Sequence, residues 1–474
     1  MITMTLAEIA TATGGTVDGD PHLEVTAPAS QDSRTVEPGG LYVAIVGERA
    51  DGHDFATQAV QGGAAAVLGT RVTGVPTVVV DDPVVALGRL ARHLLTRLPD
   101  VTVLALTGSQ GKTGTKDYLA QVLARSGETV ATAGNNNNEL GVPLTVLRAT
   151  ADTRFLVVEM GARGVGHIAY LCSIAPPDVA AVVNVGRAHL GEFGSREAIA
   201  QAKGEIIEAL GADGVAVLNG DDALTAAMAE RTAARVVRFG TTPGCEVTWA
   251  DARRDDLGRP GATFGIGAET GWVQLRQIGD HQLANAAAAA AMATAAGLAP
   301  DQVREGLAEA VSLSRWRMET TEVPGGPVVI NDAYNANPDS MRAAVATLAS
   351  IGAARGSRTV AVLGEMLELG EATEAEHRAL GEAVVAAGID VLVVVGAEDG
   401  GAAPIAAGAE RVTSDHTLVV SAPDRDLALA WLRHNVGAGD VVLVKASRGP
   451  ALETIADGLV AAARPGPGAE EPQA

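Results

Sequence analysis

Residues 101–127, VTVLALTGSQGKTGTKDYLAQVLARSG, hold the side chains whose types and spacing speak most directly of chemistry. A run of aliphatic and β-branched residues ends in Thr107. Gly108, Ser109, Gln110, Gly111, Lys112 and Thr113 follow, and then a helical pattern. Glycines let backbone N–H groups close around phosphate oxygens, a lysine neutralises their charge, and a threonine hydroxyl at the positive end of a helix can complete a magnesium shell. A glycine-rich turn with a solvated lysine would use the same letters, but without this strand before it and this helix after it. Residue 106 is Leu where the general phosphate-loop pattern has Gly, so the loop takes the shorter form TGSxGKT.

Two further residues could reach a metal beside such a loop. Glu159 ends the apolar run FLVVEM, and His189 follows VVNV. In an open parallel sheet the carboxyl ends of the strands face the ligand crevice, and a carboxylate is the ligand type that hard cations prefer. Taken singly, a strand-end Glu is ordinarily solvated and a His after a strand ordinarily just hydrogen-bonded. Lys203, in AIAQAKGEIIEAL, falls on a predicted helix and reads from the sequence as a surface lysine.

The elements that must position these residues are legible as three α/β series. From Leu41 to about Leu98 the segments LYVAIV, AAAVLG and PTVVVDD alternate with helical stretches near Phe55 to Gly62 and from Pro83. From Val101 the runs VTVLALT, ETVATA, FLVVEM, DVAAVVNV and GVAVLN alternate with helices, which implies parallel strands and helical crossovers. Between Cys245 and Ile278 short segments separated by Gly and Pro read as antiparallel strands at the flank. PVVIND, RTVAVLG, DVLVVVG, HTLVVS and DVVLVKAS form the third series. The expected fold class is α/β with three domains. These are a small N-terminal domain over 1–98, a central phosphate-loop domain with a parallel sheet over 99–314, and a C-terminal Rossmann-like domain over 315–464. The Pro-, Gly- and acid-rich tail, 465–474, has nothing to bury and is expected to be disordered.

Composition narrows the function. With 35 Lys and Arg against 57 Asp and Glu, the formal charge of −22 repels nucleic-acid backbones, while local cations can still hold a small anion. Two cysteines, Cys172 and Cys245, without CxxC spacing indicate neither a disulfide framework nor a zinc site. The first residues show no basic segment followed by a continuous apolar one, and the alanine-rich run from Leu283 to Ala296 reads as a buried helix. A cytoplasmic protein without membrane insertion is expected.

These strings are similar to those of the Mur ligases over nearly the whole chain. QDSRTVEPGGLYVAIVGERADGHDF resembles the family's uridine-nucleotide domain; TGSQGKTGTK, GNNNNELGVPLTVL, VVEMGARGVGHI, VVNVGRAHLGEFGS and AKGEI resemble its ATP domain; and GDHQLANAAAAAAMA, NDAYNANPDSM, LGEMLELG and VLVKASRG continue the likeness. GNNNNELG and NDAYNANPDSM resemble the members that add D-alanyl-D-alanine. The resemblance therefore implies ATP-dependent ligation of that dipeptide to UDP-N-acetylmuramoyl-tripeptide through an acyl phosphate. A monomer is expected.

It also implies residue roles. Gly108, Ser109, Gln110, Gly111, Lys112 and Thr113 would hold ATP, with Asn285 near the nucleotide and Asp332 at the ribose. Thr113, Glu159, His189 and Lys203 would hold magnesium, Lys203 as a carbamate. Arg317 or Arg315 in SRWRME would approach the γ-phosphate, and Ser33, Arg34 and Asn138 would meet the acceptor. Gly114 and Gln282 stand where such ligases usually carry Thr or Ser and Asn, and no DNPR string of the diaminoacid-adding members is present. A diaminoacid-adding ligase and a non-ligating nucleotide switch are the alternative readings.

Overall fold

The computed structural model describes residues 1–47, 50–186, 195–396, 400–412 and 416–462. The chain divides into two compact units. The first comprises Met1–Ala252, Ala262–Val273 and His281–Val311, and the second Arg253–Gly261, Gln274–Asp280 and Ser312–Ala474.

The first unit contains two main sheets. The N-terminal five-stranded sheet runs in the order Thr16–Asp18, Thr77–Val79, Ala66–Gly69, Leu41–Val43, Ala29–Ser30. Only its first pair is antiparallel. The helix Pro83–Thr96 starts with Asp82 accepting N–H groups from Val84 and Val85 and with Pro83 at its first position, where a missing N–H costs nothing. Its buried face, including Leu87, Leu90 and Leu94, shares one core with the central strands. Gly88 permits that approach, because a Cβ there would lie 3.1 Å from the Ile174 side chain.

The central nine-stranded sheet has the order Glu269–Gln274, Pro260–Ile266, Val247–Arg254, Arg235–Phe239, Val215–Asn219, Val179–Val182, Thr102–Thr107, Thr153–Glu159, Glu128–Ala131. Its strands from Glu128–Ala131 to Arg235–Phe239 pair in parallel, as their β-branched runs predict. The sequence reading differs at two points. Arg235–Phe239 is a strand it did not pick out. Val247–Arg254, read as the start of an antiparallel flank, joins Arg235–Phe239 in parallel.

The second unit is built on a six-stranded sheet in the order Glu319–Glu322, Val328–Asn331, Val441–Lys445, Thr359–Leu363, Val391–Val395, Leu418–Ala422. The edge strand Glu319–Glu322 is antiparallel and the rest are parallel. Separate apolar clusters cover the two faces, as a doubly wound arrangement requires. Among the described residues no helix is long and apolar enough to cross a membrane.

Leu90→Ala should remove apolar contacts common to the N-terminal layer and the central sheet. A stability loss of about 2–5 kcal/mol is expected, read as a lowered denaturation midpoint by circular dichroism. An unchanged midpoint would mean that the two layers do not share a core.

Candidate active site

Sheet order sets the place of the site. Thr102–Thr107 lies between Val179–Val182 and Thr153–Glu159, with Leu106 opposite Glu159 and Thr107 opposite Val182. Connections leave this point in opposite directions along the sheet, and the crevice at the strands' carboxyl ends is where such folds bind ligands. Gly111 turns the loop into the helix Lys112–Ala124 at φ 77°, a left-handed conformation that favours glycine. The carboxamide of Asn184, at the end of the neighbouring strand, clasps the loop. Its Oδ1 accepts the N–H groups of Ser109 (3.1 Å) and Gln110 (2.9 Å), and its Nδ2 donates to the Gln110 carbonyl (2.9 Å). Asn184 was not singled out from the sequence, where VVNV reads only as a strand end. Lys112 Nζ donates to the Gly108 carbonyl (2.8 Å), which folds the ammonium back over the loop. Ser109 Oγ is buried and makes no hydrogen bond among the described residues.

Glu159 is 1% exposed, which overturns the solvated reading of this strand-end residue. Its Oε2 accepts from Thr113 Oγ1 (3.0 Å) and its Oε1 from Asn137 Nδ2 (2.7 Å), while its own N–H donates to Thr132 Oγ1 (3.0 Å). All three partners are neutral. A buried carboxylate beside a threonine hydroxyl is a donor set of the kind hard cations take, so these residues fit magnesium. Asn137 belongs to the asparagine-rich segment, which is tied to the phosphate helix by Lys116. That buried ammonium pairs with Asp117 at 2.9 Å and donates to the carbonyls of Thr132 (2.9 Å) and Gly134 (3.2 Å). Asn138 acts locally, its Oδ1 accepting from the N–H groups of Leu140 and Gly141 at the start of the helix Gly141–Val146.

Lys203 is correctly placed on a helix, Arg196–Glu208, but it is 5% exposed, so the surface reading fails. Gly204 lets the Arg231 guanidinium lie across this helix and donate to the carbonyls of Ala200 (3.0 Å) and Gln201 (2.9 Å). Glu205 turns the other way and accepts from Gly166 (2.5 Å) and Ala169 (3.0 Å) at the start of the helix His167–Ile174. Burial, reinforced by the charge of Lys112, lowers the Lys203 ammonium from its ordinary 10.5 to about 7. His189 lies outside the described residues. Asn285, 4% exposed on the helix His281–Ala295, lies against Gly111 and Gly114 of the phosphate helix.

Of the other expected residues, Ser33 and Arg34 belong to the first unit and Arg315, Arg317 and Asp332 to the second. Ser33 and Arg34 form a turn after the edge strand Ala29–Ser30. The exposed Arg34 guanidinium makes two hydrogen bonds to Asp32 (2.9 and 2.7 Å), which hold that carboxyl at about 2. In the second unit, Asp332 Oδ2 accepts from the buried Lys445 ammonium (2.6 Å) and Oδ1 from the Met318 N–H (3.1 Å). Trp316 and Met318 have φ values of 62° and 51°, so the segment carrying Arg317 is held in a strained shape by these bonds. Arg317 stacks over Tyr334 at 4.1 Å, and Arg315 pairs with Asp457 at 3.5 Å.

Three family models match the chain. "Mur ligase family, catalytic domain" covers residues 30–93, "Mur ligase middle domain" 106–293, and "Mur ligase, glutamate ligase domain" 316–448. The chain is 46% identical to the UDP-N-acetylmuramoyl-tripeptide--D-alanyl-D-alanine ligase of Mycobacterium bovis, covering 97% of this chain and 98% of that one. It is 37% identical to the Escherichia coli protein of the same name, over 97% and 99%. Among solved structures it superposes on MurF from Acinetobacter baumannii with a TM-score of 0.86 at 31% identity, over 97% and 99% of the two chains. For Thermotoga maritima MurF in complex with ADP the TM-score is 0.74 at 32% identity, over 92% and 98%.

Burial of Lys203 has a pH signature. Its folded value, about 7, lies below its unfolded value near 10.5, so within that window the unfolded chain binds a proton that the folded chain does not. Stability therefore rises with pH between those values, and the full cost of burying the ammonium is present below about 7. In carbon-dioxide-depleted buffer, Lys203→Met should stabilise by on the order of a few kcal/mol below pH 7, with the gain shrinking towards pH 10. A gain independent of pH in denaturant titrations would contradict this account.

Proposed function

The chain belongs to the Mur ligase family, and from that membership we propose that it joins D-alanyl-D-alanine to UDP-N-acetylmuramoyl-tripeptide in peptidoglycan precursor synthesis. It is an ATP-dependent, ADP-forming ligase. The carrying observation is the 46% identity with a ligase of that name, over 97% of this chain and 98% of that one.

A carboxylate is a poor acyl donor until it is phosphorylated. In the proposed reaction a tripeptide carboxylate oxygen attacks the γ-phosphorus of ATP, giving an acyl phosphate and ADP. The dipeptide amine then attacks the acyl carbon, phosphate leaves, and the amine loses its proton. The protein must bring an anionic carboxylate to an anionic polyphosphate, and Lys112 stabilises the charge that develops between them. Ser109 Oγ, buried without a partner among the described residues, supplies a further donor at the loop. Thr113 and Glu159, with His189 and Lys203, would hold magnesium, which supplies electrostatic stabilisation of the transferring phosphoryl group. Gly108, Gln110 and Gly111 shape the loop around the phosphates. Asn285 lies beside the nucleotide, and Asp332 keeps lone pairs for a ribose hydroxyl after accepting from Lys445 and Met318. We assign Arg317 to the γ-phosphate, because Arg315 is engaged with Asp457. Ser33, Arg34 and Asn138 are assigned to the acceptor. The enzyme is proposed to act as a cytoplasmic monomer.

Lys203 is proposed to work as a carbamate. Its nitrogen attacks carbon dioxide, a C–N bond forms, and the nitrogen's proton leaves. The product is a carboxylate where an ammonium stood. The reaction needs the neutral amine, and a value of about 7 supplies it near neutrality.

The direct test is ADP release from ATP with a panel of acceptors and amino acids. Release that requires both the tripeptide acceptor and D-alanyl-D-alanine is expected; release with a diamino acid, or with neither partner, would sink the reading. Lys112→Ala should lower turnover by roughly a hundredfold or more with an unchanged circular dichroism spectrum. Lys203→Ala should lose activity and recover part of it with added short-chain carboxylates. Ordinary turnover in Lys203→Ala would end the carbamate proposal.

A further inference from the structure

The start of the phosphate helix is bare on the side that faces Asn285. A Cβ on Gly111 would lie 2.3 Å from Asn285 Oδ1, and a Cβ on Gly114 would lie 2.9 Å from Asn285 Nδ2. The Asn285 carboxamide therefore lies across both glycines, with its oxygen over the first and its nitrogen over the second. In this chain a larger side chain at either position would displace the carboxamide from where it lies.

One turn earlier on the same helix stands Gln282, itself 8% exposed. Its Oε1 accepts from Asn285 Nδ2 at 2.9 Å, and it would lie 3.4 Å from a Cβ on Gly114. This bond decides which end of the Asn285 amide faces which glycine. Rotating Asn285 alone would set Oδ1 against Oε1, two acceptors without a proton between them, in a place where water is excluded. Residues three apart on a helix lie on the same face, so the pair is held by the backbone as well as by its bond.

We infer that Gln282 is a positioning residue for the nucleotide: it orients the Asn285 carboxamide over the Gly111–Gly114 turn, and it acts on ATP and ADP only through Asn285. The inference rests on the assignment of the loop and Asn285 to nucleotide. It goes further in naming a second residue and the glycine, Gly114, whose missing side chain admits the pair.

The experiment is calorimetric binding of ADP with magnesium to the full-length chain, alongside ATP kinetics. Gln282→Met keeps the volume and removes the acceptor, so ADP should bind about three- to tenfold more weakly, the worth of one buried hydrogen bond. The loss should fall on KM for ATP more than on kcat. In an Asn285→Ala background the same substitution should cost nothing more, because the residue it orients is gone. Gly114→Ala is the second variant. Alanine favours a helix, so a merely structural role predicts equal or better stability and unchanged binding. The inference predicts weakened ADP binding that disappears when Asn285 is also alanine. Unchanged ADP affinity in Gln282→Met, or an equal loss with and without Asn285, would overturn it. A wild-type chain that binds no ADP would instead defeat the nucleotide assignment, and this inference with it.

Discussion

A carboxylate buried among neutral donors is the constraint on which the rest of this site depends. Glu159 ends a central strand, accepts from Thr113 and Asn137, and has no cation paired with it among the described residues. Burying such a charge is tolerated only where hydrogen bonds hold it and a positive ligand gains from it. Each neighbour follows from that need. The phosphate helix must start where Thr113 can reach the carboxylate, the asparagine-rich segment must return Asn137 to the same place, and Lys116 secures that segment to the helix. Lys203 is also buried, and its lowered proton affinity follows from desolvation and from Lys112.

The second unit solves a different problem. A segment with two residues at positive φ carries the arginines, and such a shape persists only where surrounding bonds determine it. The Asp332–Lys445 ion pair does so from the carboxyl ends of two adjacent parallel strands, since Asp332 also takes the Met318 N–H. Arg448 lies over the Trp316 ring at 4.1 Å and completes the support from the other side.

Much of this was legible in the sequence, and the parts that were not have physical reasons. The phosphate loop declared itself because glycines, a lysine and a threonine between a strand and a helix have few other uses. The parallel sheets declared themselves through uninterrupted β-branched runs, which only strands buried on both faces tolerate. Lys203 could not be read as buried, because its helix alternates polar and apolar residues as a surface helix does. What buries it is tertiary, and the polar and apolar order along the helix does not tell which of its polar residues the rest of the fold covers. Asn184 and Asn137 were missed for a similar reason: an asparagine at a strand end or in a polar loop looks like turn chemistry until its carboxamide is seen clasping a loop or a carboxylate. Val247–Arg254 was misjudged because Gly- and Pro-bounded short segments suggest hairpins, whereas this strand enters the sheet alongside a parallel neighbour.

The helix behind the phosphate loop has one more property. From Ala286 to Ala293 its residues are wholly buried, and all but Met292 are alanine. An alanine has no side-chain rotamers to lose, so ordering this helix costs almost no side-chain entropy when the chain folds. Little can relax there, and the carboxamide of Asn285 projects from a surface that is already rigid. A ligand that meets Asn285 therefore has little of the helix left to order.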